Sequence, residues 1–145
     1  MLVGEYHHNI DEKSRLIIPS KFRSELGEKF IITKGLDKCL FIYSESEWNK
    51  IIEKVSKLQF TKKNVRAFER AFIGGASTIE FDKQGRINIT SPLVHYANIK
   101  KECVIIGVNE RLEIWALDEF NNYMKENEES LDIITEDIFD SPYEA

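Results

Sequence analysis

The decapeptide DEKSRLIIPS, from Asp11 to Ser20, returns in closely similar form as DKQGRINITS, from Asp82 to Ser91. Each copy has an Asp, two polar residues, a Ser or Gly, and an Arg that leads into apolar residues. This order is typical of a tight turn that closes a β-hairpin, with the Asp side chain bonded to the backbone two residues on. Its fourth position has to turn sharply, which costs Ser14 roughly 1 kcal/mol but suits Gly85. We therefore predict two turns with an arginine beside each tip.

The similarity continues beyond the two turns. An offset of 71 residues aligns Asp11 with Asp82, and an offset of 72 aligns Leu40 with Leu112. Each half has the pattern of a strand, the turn, a strand, a short helix, two more strands and a longer helix. Four or five short strands are too few to bury both of their faces. We therefore predict an α+β fold in which the two halves form one small pseudo-symmetric β-barrel with helices outside.

The chain divides into four segments by the same patterns. We expect a first repeat with its helix over 1–58, a connecting helix over 59–75, a second repeat with its helix over 76–128, and an acidic tail over 129–145. Ser44 and Glu47 form a capping box ahead of apolar positions spaced by three and four. Thr61 can cap the connecting helix. Helical pattern fades toward the end of the chain, and we expect disorder beyond about Asp137.

The charge of the chain is unevenly distributed. Its net charge of −5 argues at first against a nucleic-acid partner, because the phosphate backbone attracts basic surfaces. From Asp118 to the end, however, ten acidic residues stand against the single Lys125, which leaves 19 basic and 15 acidic residues over 1–117. A mildly basic body with an acidic tail can still bind a polyanion through one face.

No run of about 18 apolar residues is present, and the first ten residues lack the pattern of a signal peptide. We therefore expect a cytoplasmic protein without a membrane partner. Cys39 and Cys103 each lie in an apolar, strand-like run, which predicts two buried thiols in a reducing compartment.

The sequence does not favour an enzymatic function. His7 and His8 are adjacent in a predicted strand, so they point to opposite faces and cannot bind one metal together. No phosphate loop, paired metal-ligand motif or nucleophile motif occurs. We expect no catalytic residue, no metal, no cofactor and no small-molecule substrate.

Three stretches together resemble the MraZ family of bacterial proteins, which are built of two AbrB-like (SpoVT-AbrB) repeats. They are the hairpin DEKSRLIIPSKFR, its copy DKQGRINI, and GLDKCLFIY followed by a Trp-bearing helix. The resemblance spans roughly residues 1–125. It implies a swapped-hairpin barrel made within one chain, a ring-shaped homo-oligomer, and binding of double-stranded DNA at direct repeats in the promoter of the division and cell-wall gene cluster. Nucleoid association would follow. The chain departs from the family pattern at Ser14, where the family usually has Gly.

In the MraZ family the Asp-Lys-Gly-Arg turn is the DNA-binding element. Carried over to this chain, the resemblance implies that Lys13 and Arg15 of the first turn and Arg86 of the second contact DNA. Lys21 and Arg23 are expected to add positive charge around the first turn, and Lys83 around the second.

Other interpretations of these residues stay open from the sequence. Arg15 and Arg86 could instead pair with Asp11 and Asp82 and hold the turns. The basic stripe of the connecting helix could extend the DNA surface, be a solvated outer face, or belong to a subunit interface; it consists of Lys62, Lys63, Arg66 and Arg70.

A second class of function also fits the sequence. The alternative is a non-enzymatic protein-interaction module, as in AbrB-like antitoxins. In that case the acidic tail, with Phe139 and Tyr143, would engage a partner protein as an extended segment.

Overall fold

A computed structural model of the protein describes residues 1–140 and shows an α+β fold. Its strands are β1 (Leu2–Asn9), β2 (Arg15–Ile17), β3 (Lys29–Lys34), β4 (Leu40–Ser44), β5 (Ser77–Glu80), β6 (Arg86–Asn88), β7 (Glu102–Asn109) and β8 (Leu112–Ala116). Its helices are α1 (Ser20–Leu26), α2 (Glu45–Val55), α3 (Lys63–Phe68), α4 (Ser91–Tyr96), α5 (Leu117–Glu128) and α6 (Leu131–Phe139). A π-helical turn over Glu69–Ile73 continues α3.

Six strands form one antiparallel sheet in the order β1-β7-β8-β4-β3-β5, and β2 pairs separately with β6. The order is symmetric about its centre, where the fourth strands of the two halves, β4 and β8, are neighbours. The first strand of each half pairs with the third strand of the other half, β1 with β7 and β5 with β3. The sequence duplication is therefore a structural duplication whose halves share their strands.

The predicted closed β-barrel is wrong, because the six-stranded sheet is open at β1 and β5 within the described residues. Both edge strands lead into the repeated turns. The strands that follow those turns, β2 and β6, leave the sheet and pair with each other. The small two-stranded ribbon thus covers one face of the sheet and does not close it. The hairpin swap that the resemblance implies stays a prediction.

The central strands of the sheet are buried on both faces. Along β4, Leu40 and Ile42 belong to a core cluster with the ribbon and α1, whereas Phe41 and Tyr43 belong to a second cluster on the other face. This second cluster contains Phe72, and the half-buried side chains Trp48 and Ile51 of α2 pack against it. Because alternate residues of a strand point to opposite faces, β4 is apolar at every position from Leu40 to Tyr43.

The helix signals of the sequence had mixed outcomes. Ser44 is the N-cap of α2, and its hydroxyl accepts a hydrogen bond from the Glu47 N–H at 3.3 Å, as predicted. Thr61 does not cap the connecting helix, which begins at Lys63 without a side-chain cap. Helix α6 continues to Phe139 in the tail, past the point where disorder was expected. The rest of the predicted disorder lies outside the described residues, as does Tyr143.

Two isoleucines of the ribbon test this packing. Ile87 on β6 is fully buried, whereas Ile17 on β2 is 44% exposed. We expect Ile87→Ala to lower the free energy of unfolding by about 3 kcal/mol, because apolar burial decreases and a cavity is left behind. The matched Ile17→Ala should lower it by less than about 1 kcal/mol. Urea unfolding measures both, and equal effects would contradict the packing of the ribbon on the sheet.

Candidate nucleic-acid interface

The first repeated turn is held by one aspartate. The Asp11 carbonyl accepts the Ser14 N–H at 3.0 Å, and its Oδ1 accepts the N–H groups of Lys13 and Arg15, each at 2.9 Å. Ser14 has a φ of +61°, so this serine occupies the left-handed conformation that the turn pattern predicts. The aspartate bonds therefore hold a backbone conformation that a serine by itself disfavours.

The second turn repeats this geometry. The Asp82 carbonyl accepts the Gly85 N–H at 3.1 Å, and its Oδ1 accepts the N–H groups of Gln84 and Arg86, each at 2.9 Å. Gly85 has a φ of +75°. The two turns are thus alike in conformation, although one has serine and the other glycine at the left-handed position.

Each turn arginine is bonded to its own aspartate. Arg15 Nε donates to Asp11 Oδ2 at 2.8 Å, and Arg86 Nε donates to Asp82 Oδ2 at 2.7 Å. Arg86 Nη1 also lies 3.9 Å from Asp11 Oδ2, which connects the two turns. The arginines therefore do hold the turns. Because the close contact to the aspartate runs through Nε, the outer edge of each guanidinium keeps donors for a ligand.

These hydrogen bonds favour the ionised form of both aspartates. The backbone N–H of Arg15 is the largest cause that lowers the pKa of Asp11, with further contributions from the Arg15 side chain and the Lys13 N–H. The pKa of Asp82 is lowered in the same way, chiefly by the Arg86 N–H. The carboxylate of each aspartate is thus ionised and accepts hydrogen bonds from its own turn and arginine.

The ribbon formed by β2 and β6 has a buried and an outer face. Leu16 and Ile87 lie opposite each other and are fully buried. Their neighbours along each strand therefore point outward. This outer surface, which we call the ribbon face, consists of two opposed pairs, Arg15 with Asn88 and Ile17 with Arg86.

Cross-bonds tie the turns to the ribbon. The Ile89 N–H donates to the Ser14 carbonyl at 2.9 Å, and the Ile18 N–H donates to the Gly85 carbonyl at 3.1 Å. Each left-handed residue is therefore bonded to the strand that follows the other turn. This arrangement fixes the two arginines relative to each other.

The other predicted residues lie in different places. Lys13 and Lys83 are exposed near the tips of the two turns. Arg23 was expected beside the first turn, but its guanidinium packs over Gly85 of the second turn. Lys21 lies beside β1, with its Nζ 5.6 Å from the centre of the Tyr6 ring. Arg86 Nη1 lies 3.9 Å from Asp11 Oδ2, so the two turns are neighbours, and the DNA contact expected of Arg23 stays a prediction.

Sequence reasoning missed two members of the ribbon face, Ile17 and Asn88. Each lies two residues after a turn arginine, so strand alternation could have placed them on its face. In the connecting helix, Arg66 Nη1 donates to the carbonyls of Phe60 and Thr61, at 3.1 and 2.9 Å, and thus stabilises the preceding loop. Lys62, Lys63 and Arg70 are exposed, and DNA contact by this stripe stays a prediction.

The described residues give little support to a metal site, a membrane span or a reactive thiol. Within residues 1–140, no group of three or more His, Cys, Asp or Glu side chains is arranged to hold a metal ion. No helix in that part of the chain has the length and apolar character to cross a membrane. Cys39 and Cys103 are buried free thiols, as predicted, and burial raises the pKa of Cys103 to about 11.

Because Arg23 contacts Gly85, we expect a substitution at Gly85 to destabilise the protein more than one at Ser14. A Cβ at Gly85 would lie 1.8 Å from Arg23 Nη1, so the arginine would have to move. We expect Gly85→Ala to lower the free energy of unfolding by about 1–3 kcal/mol, from left-handed strain and this displacement. Ser14→Ala, which already has a Cβ, should change it by less than about 0.5 kcal/mol. Urea unfolding of both variants checks this, and Arg23→Ala should partly restore the Gly85→Ala variant.

A comparison with known families agrees with the duplication. The family model described as "MraZ protein, putative antitoxin-like" matches the chain twice, over residues 1–71 and 72–141. The first match contains β1 to β4 and the second contains β5 to β8, so each includes one aspartate-braced turn. The family is of a regulatory, non-enzymatic type. With both repeats matched over nearly its full length, the chain belongs to the MraZ family.

Proposed function

We propose that this protein is a sequence-specific, DNA-binding transcriptional regulator that contacts DNA with the ribbon face and the two turns. One observation carries the proposal: the register of β2 and β6 presents Arg15, Arg86 and Asn88 on the same outer face. These are side chains whose donors and acceptors match the edges of bases.

A two-stranded ribbon fits the major groove of B-DNA, where each base pair shows a distinct pattern of donors and acceptors. The fork of an arginine matches the O6 and N7 atoms of guanine, and an asparagine amide matches adenine. Ile17, between these side chains, can pack against a thymine methyl group. The ribbon face therefore has the chemistry for direct readout of a short sequence.

The bonds to aspartate favour this role for the arginines. Because Asp11 and Asp82 orient the guanidinium groups before DNA arrives, less side-chain freedom is lost on binding. Lys13 and Lys83 are exposed ammonium groups near the turn tips and suit contacts to phosphates. Base readout and phosphate binding would thus come from adjacent parts of one surface.

A single copy offers few positive charges, so strong binding calls for several copies. Glu12 is exposed in the first turn and offsets part of its basic charge. We propose a homo-oligomer, ring-shaped as the resemblance implies, that binds repeated promoter sites of the division and cell-wall gene cluster on the nucleoid. Linked copies raise the effective concentration of each later contact.

The phosphate contacts can be tested by charge reversal. We expect Lys13→Glu with Lys83→Glu to weaken binding of duplex DNA at least tenfold and to reduce the slope of affinity against salt. The matched control, Lys38→Glu with Lys125→Glu, changes the charge equally at exposed sites on other elements. Fluorescence anisotropy with the repeats upstream of the chain's own gene measures both. Equal weakening in the two variants would contradict a specific role for the turns.

The base readout has its own test. Arg15→Lys with Arg86→Lys keeps the positive charge beside each aspartate but removes the Nε donor and the planar fork. For each arginine that reads a guanine, we expect the replacement to reduce discrimination between the intact repeat and a scrambled repeat by about 1–3 kcal/mol, with nonspecific binding largely kept. Competition with scrambled duplexes gives this number. Unchanged discrimination would show that these arginines do not read bases.

The second candidate function, a protein-interaction module, is favoured by the antitoxin-like description of the family. Salt separates the two functions, because DNA binding has to weaken steeply as the salt concentration rises. A protein that binds no duplex DNA even at low salt, but binds one specific partner protein, would support the interaction module instead.

A further inference from the structure

One segment of the chain is basic and also exposes apolar side chains. It runs from the end of α2 to α3, where residues 54–70 contain six basic residues and one acidic residue. Phe60 is 71% exposed in the loop between these helices. We call this surface the connector patch, and its exposed members are Lys54, Lys57, Leu58, Phe60, Lys62, Lys63, Phe68 and Arg70.

Aromatic stacking and hydrogen bonds hold the connector patch in place. Phe68 stacks on Phe72 with ring centres 5.0 Å apart, and Phe72 stacks on Trp48 at 5.4 Å. Arg66 holds the loop through the carbonyls of Phe60 and Thr61. A row of stacked aromatic rings therefore leads from the core to the surface, where its outer ring, Phe68, is 37% exposed.

Helix α6 has the opposite character. Three of its five apolar side chains, Leu131, Ile134 and Ile138, follow the spacing of three and four that places them on one face, and Phe139 is the next residue along the chain. All nine residues of the helix are exposed. Residues 126–140 contain seven acidic residues and no basic one. The helix is thus amphipathic, acidic and without a covering surface among the described residues.

We propose that α6 of one copy docks on the connector patch of a second copy of this chain. Both surfaces expose apolar side chains, and their charges are opposite. An amphipathic helix that lays its apolar side on an apolar surface, with charged residues around the contact, is a common recognition mode. Within one chain α6 is exposed along its whole length, so it is not seated on its own connector patch.

The two surfaces differ, which makes the contact heterologous. A copy that receives α6 from one neighbour still presents its own α6 to another, so the contact extends beyond a dimer. The ribbon face has no residue in either surface. The inference names the surfaces that join copies and does not depend on the proposed DNA contacts.

Charge exchange between the two surfaces provides the test. The connector variant carries Lys57→Glu, Lys62→Glu and Lys63→Glu, and the helix variant carries Asp132→Lys, Glu136→Lys and Asp137→Lys. In either variant alone the two surfaces carry charge of the same sign, and we expect association to weaken by at least about tenfold. In an equimolar mixture each mismatched surface finds its complement, and alternating assemblies should regain the size of the wild type. Mass photometry of the full chain, without DNA, measures these sizes.

A matched control reverses three exposed lysines outside both surfaces, Lys38, Lys100 and Lys101, to glutamate and should assemble normally. Phe60→Ala leaves all charges in place and should weaken association, because it removes an apolar side chain from the interface. This variant keeps the test decisive if a triple variant fails to fold. A monomeric wild type, a variant that keeps its full size alone, or a folded mixture that stays dissociated would each overturn the proposal.

Discussion

The carboxylate at the start of each turn determines the arrangement of the ribbon. Asp11 and Asp82 each bind two backbone N–H groups and the Nε of an arginine, so backbone geometry and side-chain position are set together. The carbonyls of the left-handed residues Ser14 and Gly85 then accept hydrogen bonds from the opposite strand. A substitution in one turn therefore also acts on the strand that follows the other turn.

The same coupling explains why the duplicated halves do not fold side by side. Each half provides an edge strand that pairs with the other half, and each ribbon strand has its only partner strand within the described residues in the other half. Neither half alone can satisfy its backbone hydrogen bonds or bury both faces of its strands. Both faces of the central sheet are covered instead, which accounts for the unbroken apolar run from Leu40 to Tyr43.

Local signals in the sequence predicted local geometry well. The left-handed positions Ser14 and Gly85, the Ser44 cap and the duplicated strand order all follow from short-range chemistry. Long-range placement could not be read in this way. The open sheet and the packing of Arg23 against the other turn depend on contacts between residues that are far apart in the chain. The local pattern of a segment does not specify which distant segment it contacts. The sequence also did not predict the first residue of α3. Lys63 follows a loop whose carbonyl of Phe60 is bonded by Arg66, a residue inside the helix.

Charge is separated along this molecule, and the separation has a physical consequence for assembly. An acidic helix next to a DNA-binding surface would repel the phosphates that the surface has to attract. Seating α6 against the connector patch of a neighbour would pair its carboxylates with lysines and remove its apolar side from water. The contact that joins copies would then also neutralise the strongest negative charge on each copy. Assembly and attraction to a polyanion would thereby favour each other, although the two use different surfaces of the chain.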